Sequence, residues 1–140
     1  MSQIKKTPLD ILDDIYSLAY WMTGSEDESR NLVKETYIYA DNGRKETDLL
    51  RIFRERYVER YGQKIDFCIS EKSCKSFLPV LDSLKLWAAD IKLSVLLSEI
   101  SGLKHSQIAA IVEKPVDTVR EWLLHGRKIL VDDCLLKASA

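Results

Sequence analysis

Apolar residues recur at three- and four-residue spacing along most of the chain, which predicts helices throughout. The first run is Ile11, Leu12, Ile15, Leu18, Ala19 and Met22. Thr7 is placed to cap it, Pro8 suits the first helical position, and Gly24 stops it. Ser25 caps a second helix whose first turn is Glu26-Asp27-Glu28, where the helix dipole favours acids. Its apolar positions are Leu32, Val33, Tyr37 and Ala40, and Asn42-Gly43 ends it. A third helix is expected from about Thr47 to Tyr61, with Leu49, Leu50, Phe53, Tyr57 and Tyr61 on one side and Gly62 as its stop. Between Ile65 and Pro79 the periodicity weakens among Ser, Lys and Cys, which marks residues 65–79 as a linker.

The pattern resumes with Val80, Leu81, Leu84, Leu86 and Trp87. A stronger helix follows from about Ala88 to Ile100, with Ile91, Val95, Leu96 and Ile100 as its stripe, and Gly102 breaks it. Two further helices, roughly His105–Val112 and Val116–Leu136, flank Glu113-Lys114-Pro115. Proline there forbids one continuous helix. No strand alternation stands out. The expected fold class is all-α, in two small helical modules at 1–64 and 80–140.

Composition changes this picture little. The 140 residues carry 21 Lys+Arg against 22 Asp+Glu, a net charge of −1. That balance excludes a wholly basic nucleic-acid coat but not a local DNA-binding face. No apolar run approaches the roughly 18 residues of a membrane span. Acids interrupt the apolar residues soon after Lys5 and Lys6, so no secretory leader or membrane attachment is expected. Cys68, Cys74 and Cys134 are odd in number and lack a CxxC, which suits a reducing, cytoplasmic setting. His105 and His125 show no ligand spacing with them, so no metal or cofactor is expected. The chain has no glycine-rich phosphate loop and no Gly-x-Ser-x-Gly elbow, and Asp13/Asp14 and Asp132/Asp133 are adjacent rather than facing. Nothing argues for an enzyme.

Position matters more than the total. Ile108, Ala109, Val112, Val116, Val119 and Leu123 have the spacing to pack two short helices across the tight turn, as in a helix-turn-helix. In such a unit the second helix enters the major groove N-terminal end first. Arg120 is suited to read guanine, Glu121 to accept from cytosine, and Thr118 to bind phosphate. Lys114, His125, Arg127 and Lys128 are candidates for the DNA backbone. An ordinary helical hairpin would use the same turn. From Arg44 to Lys64 there are seven basic residues (Arg44, Lys45, Arg51, Arg54, Arg56, Arg60, Lys64) against four acids (Glu46, Asp48, Glu55, Glu59), a net +3. Cations beside Phe53, Tyr57 and Tyr61 suit single-stranded DNA. The competing reading makes Phe53 and Tyr57 core residues and pairs the arginines with glutamates one turn away.

These segments resemble a known family. Gly102-Leu103, Gln107-Ile108-Ala109 and Pro115-Val116-Asp117-Thr118-Val119 are similar in order and spacing to region four of bacterial RNA polymerase sigma factors of the extracytoplasmic-function class. Thr23-Gly24, Glu26-Asp27, Leu32-Val33 and Glu35-Thr36-Tyr37 resemble the family's region two. The resemblance covers most of the chain. It implies that Asn31, Leu32, Lys34 and Glu35 dock on the clamp coiled coil of the polymerase core. It implies that Arg51, Arg54, Arg56 and Arg60 meet the melted −10 strand. The second helix of the pair would read the double-stranded −35 element through Lys114, Thr118, Arg120, Glu121, His125, Arg127 and Lys128. It further implies a monomeric, cytoplasmic factor held inactive by an anti-sigma protein.

Several positions depart from the pattern. Asn31 stands where the family has an acid, Lys34 where it has Gln, Leu49-Leu50 replace Trp-Leu, and Asp117 replaces a Gly. The near-neutral charge and the dilution of the family's basic run to Arg56, Arg60 and Lys64 among acids motivate a second reading, a sigma-like mimic that binds an anti-sigma factor without recognising a promoter. A third is a helix-turn-helix repressor that dimerises through its N-terminal bundle.

Overall fold

The computed structural model describes residues 6–40, 45–62 and 87–133, with side chains as far as Arg127. The linker at 65–79, Val80 to Leu86, Asn42-Gly43, Arg44, Lys64, the three cysteines and the Lys128 side chain lie outside the described residues. The described residues form α-helices and no strand, an all-α arrangement. In order these are α1 (Pro8–Thr23), α2 (Glu26–Tyr39), α3 (Glu46–Tyr61), α4 (Ala88–Glu99), α5 (His105–Val112) and α6 (Val116–Asp133).

Local chemistry fixes the helix ends. The Thr7 hydroxyl accepts from the Asp10 amide at 3.1 Å, and the Asp10 carboxylate accepts from the Thr7 amide at 3.1 Å. That reciprocal cap satisfies two donors the helix cannot. Ser25 caps α2 by accepting from Glu28 N–H. α1 ends at Gly24 with φ 71°, a left-handed turn that a side chain would strain. Glu113 closes α5 in the same region at φ 57°, without glycine's freedom.

The first three helices pack side by side, α1 on α2 and α2 on α3. α4 contacts α1, α5 and α6, and α3 packs on α5. The two described halves therefore meet directly. Ile15, Leu18, Leu50 and Phe53 from one, and Ile91, Leu96, Ile108 and Leu123 from the other, belong to a single buried cluster.

α4 has no solvent face from Ala88 to Leu97. The stripe expected from its sequence is thus only one side of an enclosed helix, as an apolar residue pattern on all faces requires. Its polar residues are answered individually. Asp90 is fully buried and receives Arg54 of α3 in a bidentate pair, Nε at 3.0 Å and Nη2 at 2.9 Å. Ser94 Oγ donates to the Asp90 carbonyl at 2.8 Å. Lys92, 3 % exposed, donates its ammonium to the Trp21 carbonyl at the end of α1. Outside α4, Lys6 joins the same seam by pairing with Asp14 and Glu46 and donating to the Ser101 carbonyl at 2.7 Å. α6 lies so close to α4 at Gly126 that an added Cβ would meet Ile91 Cγ2 and Val95 Cγ2 at 3.0 Å each.

Two stability predictions follow from this packing. Burial pushes Lys92 from 10.5 down to about 8, because one carbonyl does not replace the lost water. The folded state therefore binds this proton less tightly than the unfolded chain, and the cost of the charge is relieved as pH rises above 8. A displacement of that size corresponds to about 3 kcal/mol. The urea midpoint should climb between pH 8 and 10. Lys92→Met should be the more stable protein at pH 7 and should lack that climb. Burial pushes the Tyr57 phenol up to about 12, so its opposing effect begins only above pH 10. At Gly126, alanine gains about 1 kcal/mol of helix propensity but presses on two stiff β-branched side chains. Gly126→Ala should lower Tm by a few degrees in a thermal melt. A rise would show that α4 and α6 separate readily.

Candidate nucleic-acid interface

On α3 the spacing of Phe53 and Tyr57 turns both rings inward. Tyr57 donates its hydroxyl to the Met22 carbonyl at 3.3 Å and stacks, tilted, on Tyr61 with ring centroids 4.8 Å apart. Of the two sequence readings for these rings, the core reading describes their positions. Tyr61 in turn donates to Glu28 of α2.

Three of the four arginines of α3 are paired with carboxylates. Arg54 is only 15 % exposed, is chelated by Asp90, and has Glu113 at 3.9 Å. The hydrogen bonds to Asp90 raise its already high pKa. It is therefore not available as a contact for the −10 strand in this arrangement, because its partner lies on a helix of the opposite half. Arg56 pairs with Glu59 at 2.7 Å and lies 4.1 Å over the Tyr39 ring. Arg60 bonds Glu35 and lies 3.6 Å from Glu28. Arg51 is exposed and makes no ion pair with a described residue. Of the four cations expected to meet single-stranded DNA, Arg51 alone is exposed without an ion pair to a described residue.

α2 divides the residues expected to face polymerase. Asn31 and Lys34 are exposed. Leu32 is completely buried, because its turn of α2 faces the core, and this corrects its placement on a docking surface. Glu35 is half-buried against Arg60, so two residues expected to touch different partners hold each other instead.

The α5–α6 pair has a clear inside and outside. Gln107 accepts from the Lys104 amide at 2.9 Å to start α5, and Lys114 N–H returns to the Ala109 carbonyl at 3.1 Å across the turn. Ile108, Ile111, Val112, Val119, Trp122 and Leu123 are buried. Asp117, Arg120, Glu121, Leu124 and His125 recur at i, i+3, i+4, i+7 and i+8, and all are exposed. Arg120 pairs with Asp117 across one turn at 3.2 Å, an exposed bond that a ligand can exchange at little cost. Thr118 lies at the half-buried edge of this face.

The flanking cations are tied down. Lys114 Nζ lies 4.2 Å over the Trp87 ring, and Trp87 packs on Trp122 with centroids 6.3 Å apart. Arg127 is bound back to α4 through Glu99 at 3.0 Å and Ser98 at 2.6 Å. Sequence reasoning missed Asp90 and Lys92, whose signal was charge inside an apolar run. It also missed Leu124, 69 % exposed, whose signal was an apolar residue on the same face as Arg120.

No family model, curated protein or solved structure matches this chain.

Proposed function

We propose that this protein is a sigma-like transcription initiation factor, built of two helical modules, that reads promoter DNA with α6. The observation that carries the reading is the outward face of α6. Following a tight turn, a rigidly backed helix presents Asp117, Arg120, Glu121, Leu124 and His125 free of the body of the protein. That is the form a helix-turn-helix needs for insertion into the major groove. Arg120 suits guanine, Glu121 suits the cytosine amine, and Leu124 suits a thymine methyl. Thr118 at the edge suits a phosphate. In the N-terminal module the open residues Asn31 and Lys34 would meet the clamp coiled coil of RNA polymerase, and Arg51 the −10 strand. Such a factor works by positioning, in the cytoplasm, with no bond-making of its own and with an anti-sigma protein as its natural restraint.

One observation favours the second reading, a sigma-like mimic that binds an anti-sigma factor without a promoter. Arg54, Arg56 and Arg60 are all engaged by carboxylates of the same chain. This leaves little free positive charge for a melted strand.

Transcription from a promoter library by core polymerase, at low salt, separates the two readings. The initiation reading predicts promoter-specific transcripts that depend on the protein. Arg120→Ala should reduce them about tenfold or more, the scale of a lost base contact. Complete absence of such transcripts would leave the mimic.

A further inference from the structure

α1 carries a second outward face that neither reading uses. Leu9, Asp13, Tyr16 and Tyr20 recur at i, i+4, i+7 and i+11, and all four are exposed. Leu9 is 66 % open, Tyr16 40 % and Tyr20 44 %. Beside them a cleft of about 410 Å³ runs between α1 and the start of α2, with Tyr16, Tyr20 and Trp21 on one wall and Glu26 and Arg30 on the other. A patch of this kind, apolar and rimmed by charge, marks an interaction surface.

Charge selects the occupant. α1 has three aspartates and no lysine or arginine, and α2 opens with three acids. Most are answered within the fold: Asp14 by Lys6, Asp10 by the Thr7 amide, Asp27 by Arg30, and Glu28 by Tyr61 and Arg60. Asp13 and Glu26 make no ion pair or hydrogen bond with a described residue. Asp13 stands between Leu9 and Tyr16, and Glu26 lines the cleft, so carboxylates without an ion pair to a described residue bracket the aromatic surface. Arg30, the cation of the cleft, has Asp27 beside it at 2.5 Å, so with Glu26 the local charge is net negative. Phosphate-bearing ligands are disfavoured here, whereas a guanidinium or ammonium can stack on the rings and reach a carboxylate. The stripe from Leu9 to Tyr20 runs straight for three helical turns, about 16 Å at 1.5 Å per residue. An α-helix of similar length can lie along it.

We propose that the outer face of α1 and its cleft bind a basic amphipathic helix of another protein. Its apolar side chains cover Leu9, Tyr16 and Tyr20, and its Lys or Arg residues pair with Asp13 and Glu26. Neither Asn31, Lys34 nor any residue of α6 belongs to this surface, so the proposal stands or falls apart from the transcription reading.

The test titrates the isotope-labelled full chain with an 18-residue helical peptide of leucine on one face and lysine on the other, at low salt. The control peptide keeps the leucines and replaces each lysine by glutamate. The lysine peptide should shift amide resonances in residues 9–21 and 26–30, and the glutamate peptide should not. Asp13→Asn with Glu26→Gln, and separately Tyr16→Ala with Tyr20→Ala, should each weaken binding at least tenfold with unchanged helical circular dichroism. Absence of shifts on α1, shifts centred elsewhere, or undiminished binding by both variants would overturn the proposal. So would self-association of the chain abolished by Tyr16→Ala with Tyr20→Ala, which would assign the surface to a second copy.

Discussion

A two-pronged ion pair between Arg54 of α3 and Asp90 of α4 is the constraint around which the described helices are arranged. Asp90 is enclosed within a helix that has no solvent face, so its charge needs a cation supplied from outside that helix. Only a long side chain with two parallel donors meets both carboxylate oxygens, which arginine provides and lysine does not. The pair ties α3 to α4 at one point, and α3 packs on α5. Lys92 on the Trp21 carbonyl and Lys6 on the Ser101 carbonyl cross the same seam at other points. Directional bonds at three places set the orientation of the halves, while the shared apolar cluster supplies the attraction.

This arrangement redistributes the charge. The seven cations of residues 44–64 look like a nucleic-acid surface when counted along the sequence. In space, Arg54 is internal, and Arg56 and Arg60 are neutralised by acids within reach. What remains open among the described residues is Lys45 and Arg51 of this segment, a mixed-charge outer face on α6, an aromatic and acidic face on α1, and the polar outer stripe of α2. The proposed initiation function thus leans on base-edge contacts by α6 more than on phosphate attraction. Engagement of a melted strand by Arg54 would require the seam to open first.

Much of the fold was legible because its signals are local. Thr7, Ser25 and the glycines at 24, 62 and 102 mark helix boundaries within a few residues of themselves. Phe53 and Tyr57 were readable as core from their spacing. What could not be read depends on residues distant in the chain. Arg54 finds a partner 36 positions away, where helix spacing offered nearby glutamates instead. Leu32 carried a docking role by resemblance, although its turn of α2 faces inward. The enclosure of α4 was present as apolar residues on every face, but a one-stripe reading passed over Asp90 and Lys92. The outward face of α6 was largely legible. Its residue types and spacing indicated Arg120 and Glu121, while the exposure of Leu124 required three dimensions.

The most direct test of this account is a double-mutant cycle on Arg54 and Asp90, using Arg54→Met and Asp90→Leu, followed by urea unfolding. Each single variant strands a buried charge and should cost about 3–5 kcal/mol. The double variant removes both charges and should be markedly more stable than the sum of the two losses implies, with a coupling energy above about 2 kcal/mol. Additive losses, or single variants as stable as the parent, would mean that the pair does not join the halves and that Arg54 is free for another role.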